Sequence, residues 1–438
     1  MNNENNSYLK MSYIFKLLLR IECIFLYGFN GLRKTDNLKK FNELILSVKS
    51  ENISDSNQSN EKYYVNNLEI INSRVGLVET LLKEAIIIKV KRKRNNIEET
   101  VFSMVLKPAR TYYRTREIIV YACQELFRRR AYFTSVIESN EIVVSNKYTN
   151  STLILLKIVF RNIYKSLNRK QQNIKSNWDI YFNEISNRDI GQLEVDLKII
   201  KHDSTRFWAD PFLFEYNNEI YLFIEEYFYN KKKGEIAVLK RNADRIFEYL
   251  GVALSFPYHL SFPCIFRRGA DIFMIPESGS QMRVDLFRCI DFPMKWEFSK
   301  TLLSGKKFSD PVLFRKDGTD FLFVSLDNGM LSSESQLYLY YSSDILTDIL
   351  ESHPLNPIQL GLEKSRMAGN IYEKDGVLYR PAQDCSIRYG GSIRFMRILE
   401  ITKERYFEIE SYSLLHFEGK LGTHTYNQLD NLYVVDAY

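Results

Sequence analysis

The chain has 438 residues, of which 45% are apolar and 14% aromatic, and its net charge is +6. This composition predicts a globular protein of two or three domains, or one large domain with an appendage, and the mild charge gives no reason to expect a nucleic-acid partner. The five cysteines are scattered without a CxxC pair, which argues against a disulfide framework or a zinc centre, and we expect neither a metal nor a cofactor.

Residues 1–177 predict a smaller N-terminal domain that is helical or mixed α/β. Residues 13–29 are apolar but are interrupted by charges, whereas a bilayer span needs about 20 apolar residues in a row. Lys16 and Arg20 share one helix face, which predicts an amphipathic helix that is either buried in its own domain or lies on a membrane. A second long helix is predicted over residues 151–168.

Two basic clusters stand out before residue 178: "KVKRKRNN" at residues 89–96 and "RRR" at residues 128–130. They are either solvated surface or sites of attraction to an anionic membrane or substrate. No secretory signal is evident. We therefore expect a cytoplasmic protein, with peripheral contact at the inner membrane face, or with a lipid-linked glycan, as the alternative that these clusters leave open.

From Trp178 onward the chain changes to short apolar runs separated by turn residues, which is typical of an all-β domain. One hairpin pattern recurs about every 50 residues. Its copies begin at Asp210, Pro263, Asp310, Ala368 and His424. Five four-stranded units fill residues 178–438, so we predict a mainly β fold with a five-bladed β-propeller over that range.

The repeated hairpins carry polar residues at matching ends, and in a propeller these ends converge on one face of the central channel. We predict a sugar-binding pocket there, because carboxylates and amides bind vicinal hydroxyls and aromatic rings stack on sugars. We expect Asp210 to be solvated at the channel mouth. We assign Asp210, Asp310 and Glu277 to catalysis, and we assign substrate binding to Trp208, Glu225, Glu226, His259, Arg366, Arg380, Gln383, Asp384, His424 and Asn427.

Two of these residues, Arg366 and Arg380, indicate a phosphate or carboxylate on the ligand, since guanidinium groups bind such anions bidentately. Glycosyl transfer with inversion requires one carboxylate as a base and a second group that assists departure. A sugar or nucleotide sugar is therefore the expected substrate.

Several short motifs of this region, in the same order along the chain, resemble those of one family: "FWADPFLF", "FIEEY", "PYHLSFP", "SDPVLF", "SRMAGNIY", "LYRPAQD" and "GTHTYN". The family is the propeller domain named after the N-terminal region of glucosamine inositolphosphorylceramide transferase. Its bacterial members accompany capsule and lipopolysaccharide gene clusters. The resemblance implies a role in the biosynthesis of cell-surface polysaccharide.

The fold of that family in turn resembles the five-bladed glycoside hydrolases of family 43. This similarity implies that Asp210 stands where those enzymes have a catalytic base, and Asp310 where they have an aspartate that tunes the acid. Their acid is a glutamate of blade four, but here that blade reads "RPAQD". Glu277 or Asp384 would have to replace it, which favours transfer or binding over hydrolysis.

The N-terminal region has a weaker resemblance, to the formyltransferase-like domain that precedes this propeller in bacterial relatives. Residues 109–139 occupy the corresponding place but lack the Asn-His-Asp set of that chemistry, and no histidine precedes His202. We expect no formyl transfer.

Three functions remain open from the sequence. The chain is a glycosyltransferase of surface-polysaccharide assembly, a glycoside hydrolase or phosphorylase acting on such a glycan, or a propeller that binds glycans without chemistry.

Overall fold

The structure is a computed structural model that describes residues 62–65, 86–94, 97–109, 114–115, 117–119, 121–122, 125, 177–184, 197–415, 417 and 419–438. The chain divides into two compact units, residues 1–174 and residues 175–438. The helices predicted over residues 13–29 and 151–168 lie outside the described residues, as do residues 128–130. Within the described part, no helix is long and apolar enough to cross a membrane.

The first unit contains a three-stranded antiparallel sheet, in the order β1 (Lys62–Val65), β2 (Ile86–Arg94) and β3 (Ile97–Leu106). The basic cluster of residues 89–96 lies mainly in β2. Successive side chains of a strand point to opposite sides of the sheet, so every second residue can share an apolar face. The buried residues with this spacing are Ile86, Ile88, Met104 and Leu106.

The second unit begins with two strands of one blade, β4 (Asp179–Glu184) and β5 (Lys198–Ile200). The chain then forms four further blades before it returns to this first sheet. Each blade is an antiparallel sheet, and its first strand lies nearest the central channel.

Blade one contains β6 (Arg206–Tyr216), β7 (Glu219–Phe228), β8 (Lys233–Arg241) and β9 (Phe247–Leu254), paired in that order. Each of the two central strands is buried over six consecutive residues, because both faces of the blade pack against neighbouring blades.

Blade two contains β10 (Ser261–Arg268), β11 (Asp271–Glu277), β12 (Arg283–Asp291) and β13 (Lys295–Ser304). A short 3₁₀ helix, Gly279–Gln281, joins its second and third strands.

Blade three contains β14 (Lys307–Lys316), β15 (Thr319–Asp327) and β16 (Gln336–Ser342), and two short strands complete its outer edge. These are β17 (Glu351–Ser352) and β18 (Gln359–Leu360), which both pair with β16.

Blade four has an interrupted first strand, formed by β19 (Arg366–Met367) and β20 (Tyr372–Lys374), which both pair with β21 (Val377–Asp384). The strands β22 (Ser392–Ile401) and β23 (Tyr406–Leu415) follow.

The ring closes in blade five, where β24 (Tyr426–Leu429) and β25 (Leu432–Ala437) join β4 and β5. The last strand of the chain pairs antiparallel with the first strand of the propeller, from Leu432 opposite Glu184 to Ala437 opposite Asp179. This pairing closes the ring, and the radial arrangement of the blades leaves only short, protected sheet edges. The predicted five-bladed propeller is confirmed, and the five repeated hairpins form the first two strands of its blades.

The blades are held together by aromatic and aliphatic side chains that interlock between them. One cluster joins buried phenylalanines of blades one, two and three: Phe212, Phe223, Phe262, Phe321 and Phe323. Burying such a side chain contributes roughly 1.5–3 kcal/mol, so this packing makes a large contribution to the stability of the ring.

Gly369 lies at a close approach between blades four and five. Its φ is +128°, and a β-carbon there would lie 1.9 Å from the carbonyl oxygen of Tyr426. The neighbouring peptide is fixed by a hydrogen bond from the Tyr426 N–H to the Ala368 carbonyl. Neither backbone can retreat without breaking the contact between these blades.

We expect Gly369→Ala to lower the free energy of unfolding by more than about 4 kcal/mol, which marks an exceptional point mutation. Gly376→Ala is the matched control, because Gly376 also has a positive φ but no atom lies within 4 Å of its β-carbon position. That variant should lose only about 1 kcal/mol. Urea denaturation of both variants measures the difference, and equal losses would contradict the proposed clash.

Candidate functional site

The first strands of three blades share a bulge that faces the channel. Each bulge contains a residue with positive φ followed by proline: Asp210 (φ 50°), Phe262 (φ 48°) and Asp310 (φ 49°). Proline cannot donate to a sheet and is therefore placed at edges or bulges. The bulge turns the N–H of the positive-φ residue, which precedes the proline, away from its own sheet.

In each case a carboxylate of the preceding blade accepts that N–H. The Asp210 N–H donates to Asp436 Oδ2 at 2.9 Å, and the Asp310 N–H donates to Glu277 Oε2 at 2.9 Å. The Phe262 N–H donates to Asp210 Oδ2 at 3.1 Å. The carboxylates at the channel thus stabilise the contacts between blades.

Asp210 is 5% exposed, so the expectation that it is solvated is wrong. Its Oδ1 accepts a hydrogen bond from Thr425 Oγ1 at 2.7 Å, and His424 Nε2 lies 3.6 Å from the same oxygen. Burial raises the pKa of Asp210 to about 6; His424 opposes this increase, while the negative charge of Asp436 adds to it.

Glu225 comes from the end of β7 and lies beside Asp210. Burial raises its pKa well above the usual range, and the neighbouring carboxylate of Asp210 raises it further. His259 Nε2 lies 3.5 Å from Glu225 Oε1, while His259 Nδ1 accepts the Gly234 N–H at 2.9 Å. A β-carbon at Gly234 would come within 2.7 Å of Glu225 Oε1 and 2.8 Å of the imidazole, so only glycine fits here.

The Asp310 carboxylate accepts three hydrogen bonds from side chains of blade four. Arg366 donates to it twice, from Nε at 2.5 Å and from Nη2 at 3.2 Å, and Gln383 Nε2 donates at 3.2 Å. Arg366 Nη2 also lies 3.7 Å from Glu277 Oε2. Burial raises the pKa of Asp310 above its usual range, although the charge of Arg366 acts in the opposite direction.

His424 joins this arrangement from the segment before β24. Its Nδ1 lies 2.7 Å from Asp436 Oδ2, and its ring stacks on Trp178 at 3.9 Å. Burial lowers its pKa, but the charges of Asp436 and Asp210 outweigh burial, so the pKa is raised. We call the converging residues the channel cluster: Asp210, Glu225, Glu277, Asp310, Arg366, Gln383 and His424.

Ligand atoms of Asp210, His424 and Asp436 come within 4.8 Å of one another, a spacing that could hold a metal ion. The carboxylate of Asp436, however, accepts the N–H groups of Asp210, His424 and Thr425 and faces His424 Nδ1. These donors fill its four lone-pair positions. The geometry fits a hydrogen-bonded network better than a cation site.

Several predicted site residues have their partners outside the channel cluster. Glu226 follows Glu225 on the strand and so points to the other side of the blade, where it accepts hydrogen bonds from Arg206, Trp208 and Tyr249. Trp208 is thereby part of the packing of blade one, with its ring stacked on Tyr249.

The same alternation separates Asp384 from Gln383. The Asp384 carboxylate accepts from Arg394, at 2.6 Å and 2.8 Å, and from the Ser386 N–H. Arg380 is fully buried and makes a bidentate pair with Glu408, at 2.6 Å and 2.8 Å. Both arginines that suggested an anionic ligand, Arg366 and Arg380, are engaged by carboxylates of the protein.

Asn427 links three blades through its side-chain amide. Its oxygen accepts the Asn370 N–H at 3.0 Å, and its nitrogen donates to the Pro211 carbonyl at 2.6 Å. It lies next to the channel, where it fixes the bulge that contains Asp210.

Two residues of this region, Asp436 and Tyr389, were not among the predicted site residues. Asp436 lies in the C-terminal half of the second strand of its blade, as Glu225 and Glu277 do, so the acidic residue late in the repeat was the available signal. Tyr389 packs against the guanidinium of Arg366 at 5.0 Å and edge-on against His424 at 5.6 Å. It comes from a loop, and no repeat marked it.

Charge is distributed unequally between the two faces of the propeller. The channel cluster lies at the face formed by the segments that precede the first strand and join the second and third strands of each blade; we call it the site face. Its described connecting segments contain only three acidic residues, Asp203, Glu334 and Glu363, and seven basic ones: Lys201, Lys231, Lys232, Lys306, Lys364, Arg388 and Lys420.

The opposite face, formed by the remaining connections between consecutive strands, shows the reverse. Its described connecting segments contain three basic residues, Arg245, Lys403 and Arg405, and seven acidic ones: Asp244, Asp317, Asp344, Asp348, Asp375, Glu404 and Asp430. The propeller is therefore polarised, with the positive side around the channel cluster.

A family model matches residues 196–432, more than half of the chain. It describes the N-terminal region of glucosamine inositolphosphorylceramide transferase 1. The chain belongs to this family. The match covers β5, the outermost strand of blade five, and blades one to four, and it ends at the start of β25.

Curated relatives with that enzyme's name match the same region. The chain is 34% identical over 229 residues to the protein from Oryza sativa subsp. japonica, which is 51% of this chain and 30% of the relative. It is 35% identical over 210 residues to the protein from Arabidopsis thaliana, which is 47% of this chain and 27% of the relative. The chain thus matches less than a third of these relatives' length.

Solved structures with similarity include glycoside hydrolases. Zg3597 of Zobellia galactanivorans, from family 117, has a TM-score of 0.39 at 13% identity and covers 60% of this chain and 90% of its own. A GH43_1 enzyme of Xanthomonas citri has a TM-score of 0.40 at 9% identity and covers 54% and 88%. The propeller assignment rests on the strand order described above.

The raised pKa values generate a prediction for stability. Asp210, Glu225, Asp310 and His424 bind protons more tightly in the folded than in the unfolded chain, so they stabilise the fold at low pH and lose this contribution as the pH rises through their folded pKa values. We expect the contribution of Asp210 to be lost progressively as the pH rises from about 4, the usual pKa of an aspartate, to just above its folded pKa of about 6.

The measurement is the melting temperature across this range for the native chain and for Asp210→Asn, which cannot titrate. The variant should lose less stability than the native chain between the two ends of the range. A native curve parallel to that of the variant would show that Asp210 does not titrate there.

Proposed function

We propose that the propeller is a glycosyltransferase that acts in glycolipid or cell-surface glycan synthesis, with its reaction centre in the channel cluster. The observation that carries the proposal is the convergence of four carboxylates from three blades, two of them buried side by side, at one end of the channel. Family membership supports the reaction class, because the curated relatives are named as transferases.

Asp210 is the base in this proposal. At neutral pH its pKa of about 6 leaves most molecules ionised and still basic enough to accept a proton efficiently. Its Oδ2 accepts the Phe262 N–H and its Oδ1 accepts the Thr425 hydroxyl, and a carboxylate with about four lone-pair positions can accept a hydrogen bond from an acceptor hydroxyl in addition. The hydroxyl oxygen attacks the anomeric carbon, its proton passes to Asp210, and the donor's leaving group departs with the electrons of the broken bond.

Glu225 is the partner that keeps a proton. Two adjacent buried carboxyls do not both ionise readily, so one remains protonated and can donate a hydrogen bond. We assign this role to Glu225, because burial raises its pKa well above the usual range. A neutral Glu225 beside an ionised Asp210 would orient the sugar hydroxyls without adding a second negative charge.

The proposed role of Asp310 is structural, because Arg366 and Gln383 hold its carboxylate in a fixed orientation. The two hydrogen bonds from Arg366 fix the plane of the Asp310 carboxylate, and the Asp310 N–H in turn fixes Glu277. Glu277 is the more accessible of the two carboxylates and is the proposed contact for the sugar.

A nucleotide sugar is the proposed donor, since a nucleotide phosphate leaves as a stable anion and needs little protonation. This fits a channel in which blade four reads "RPAQD" and places Gln383, an amide that cannot act as an acid, beside Asp310. The acceptor is proposed to be a lipid-linked glycan, and capsule or lipopolysaccharide assembly is the proposed setting, on the cytoplasmic side of the membrane.

One observation favours binding without chemistry. Both Asp210 and Asp436 are held by donors of neighbouring blades, as they would be if they served only to tie the ring together. A glycan-binding propeller with the same network would bind sugars at the site face without catalysing a reaction.

The first test is a ligand-observed screen of nucleotide sugars, free sugars and lipid-linked sugars against the full chain, followed by a transfer assay with the binders. We expect Asp210→Asn to lower kcat/KM by about 10²–10⁴-fold, the usual contribution of a general base. Asp384→Asn is the control, because Asp384 pairs with Arg394 outside the channel cluster and should leave turnover nearly unchanged. Retained turnover in Asp210→Asn would remove it from the mechanism, and binding without turnover in the native chain would favour the binding propeller.

Two adjacent residues of β7 provide a second test. Glu225→Gln should reduce kcat by about tenfold or more, because the amide cannot exchange a proton with Asp210. Glu226→Gln changes the same side chain on the other side of the strand, where it contacts Arg206, Trp208 and Tyr249. It should lower the melting temperature and leave the kcat of the folded protein unchanged. The reverse pattern would refute the assignment of Glu225.

A further inference from the structure

We propose that the site face of the propeller docks on an anionic lipid surface. The two faces carry opposite charge: the described connecting segments contain seven basic and three acidic residues on the site face, and three basic and seven acidic ones on the opposite face. A flat anionic surface would therefore attract one side of the ring and repel the other, which orients the molecule.

Four of the site-face cations are available to an outside partner. In the described parts of the chain, no carboxylate lies within ion-pair distance of Lys201, Lys232, Lys306 or Arg388, and all four are exposed. They come from blades five, one, two and four, so the charge surrounds the channel. The side chains of the opposite-face cations are instead engaged: Arg245 with Glu184, Arg405 with Glu400, and Lys403 with the ring of Tyr341.

Apolar side chains stand among these cations. Ile387 is 86% exposed, and Leu421, Met282, Met330 and Tyr389 are also exposed on site-face segments. Cations that attract headgroups, together with apolar residues that reach the acyl boundary, are the combination that holds proteins at membrane interfaces. A soluble anionic glycan would use the cations but would gain nothing from Ile387.

The docking inference stands on charge and exposure and does not require the channel cluster to be catalytic. With the proposed function, its consequence is that the channel mouth faces the membrane, where a lipid-linked acceptor would enter without leaving the bilayer surface. The acceptor class rests on the proposed function; the docking does not.

The test is flotation of the full chain with vesicles of phosphatidylcholine containing phosphatidylglycerol, and with pure phosphatidylcholine, in the absence of sugars. We expect binding to the anionic vesicles that weakens with salt. The site-face variant Lys201→Glu, Lys232→Glu, Lys306→Glu should bind more than about tenfold more weakly, since each cation near an anionic surface contributes measurably.

The matched control reverses the same number of charges on the opposite face: Arg245→Glu, Lys403→Glu, Arg405→Glu. It should retain the affinity of the native chain. Equal affinity of the two triple variants, or no binding of the native chain to anionic vesicles, would overturn the proposal. Transfer activity is measured separately on water-soluble acceptors, so a failure of docking and a failure of the proposed function are distinguishable.

A second pair of variants isolates the apolar contribution. Ile387→Ser on the site face should weaken vesicle binding several-fold, while Ile349→Ser, at 90% exposure on the opposite face, should not. Competition with a soluble anionic polysaccharide provides the remaining arm. If the polysaccharide binds the native chain as tightly as the vesicles do, and Ile387→Ser has no effect, the partner is a glycan and not a membrane.

Discussion

The structure depends on one repeated interaction: a carboxylate of one blade accepts the N–H of a positive-φ residue that precedes proline in the next blade. Asp436, Asp210 and Glu277 make this contact at three of the joints in the ring. The bulge turns the N–H away from its own sheet, and a buried N–H without a partner would be costly, so the carboxylate must be present. The carboxylates that join the blades into a ring are therefore also the ones that place negative charge at the channel.

This requirement explains why the channel cluster is both structural and chemically suited to reaction. Carboxylates that tie blades together must be buried, and burial raises their pKa values towards neutrality. A group that titrates near neutral pH can exchange protons with a substrate, whereas an exposed aspartate is too weak a base. The fold thus gives up stability at high pH in the same place where it gains a candidate proton acceptor.

The two faces add a second level of organisation. The strands that build the ring are shared by both faces, so the charge of the connecting segments can differ between faces without any cost to packing. The basic residues gather around the end of the channel where the carboxylates lie, and the acidic residues gather at the other end. Such a distribution orients a ring with respect to a charged surface and places the channel cluster against it.

The sequence by itself determined the five blades, because hairpins recurring about every 50 residues can be recognised by their alternation and turns, and it located Asp210, Glu277, Asp310 and His424 at matching ends. The sequence could not show which of two adjacent polar residues faces the channel. Glu225 and Glu226, or Gln383 and Asp384, are adjacent in the chain, and only the pairing of the strands shows which one points to the channel. It also could not show that Arg380 is buried against Glu408, or that Asp436 holds the bulge of Asp210 across the ring closure. Those contacts join residues from different strands and blades, and only the closed ring brings them together.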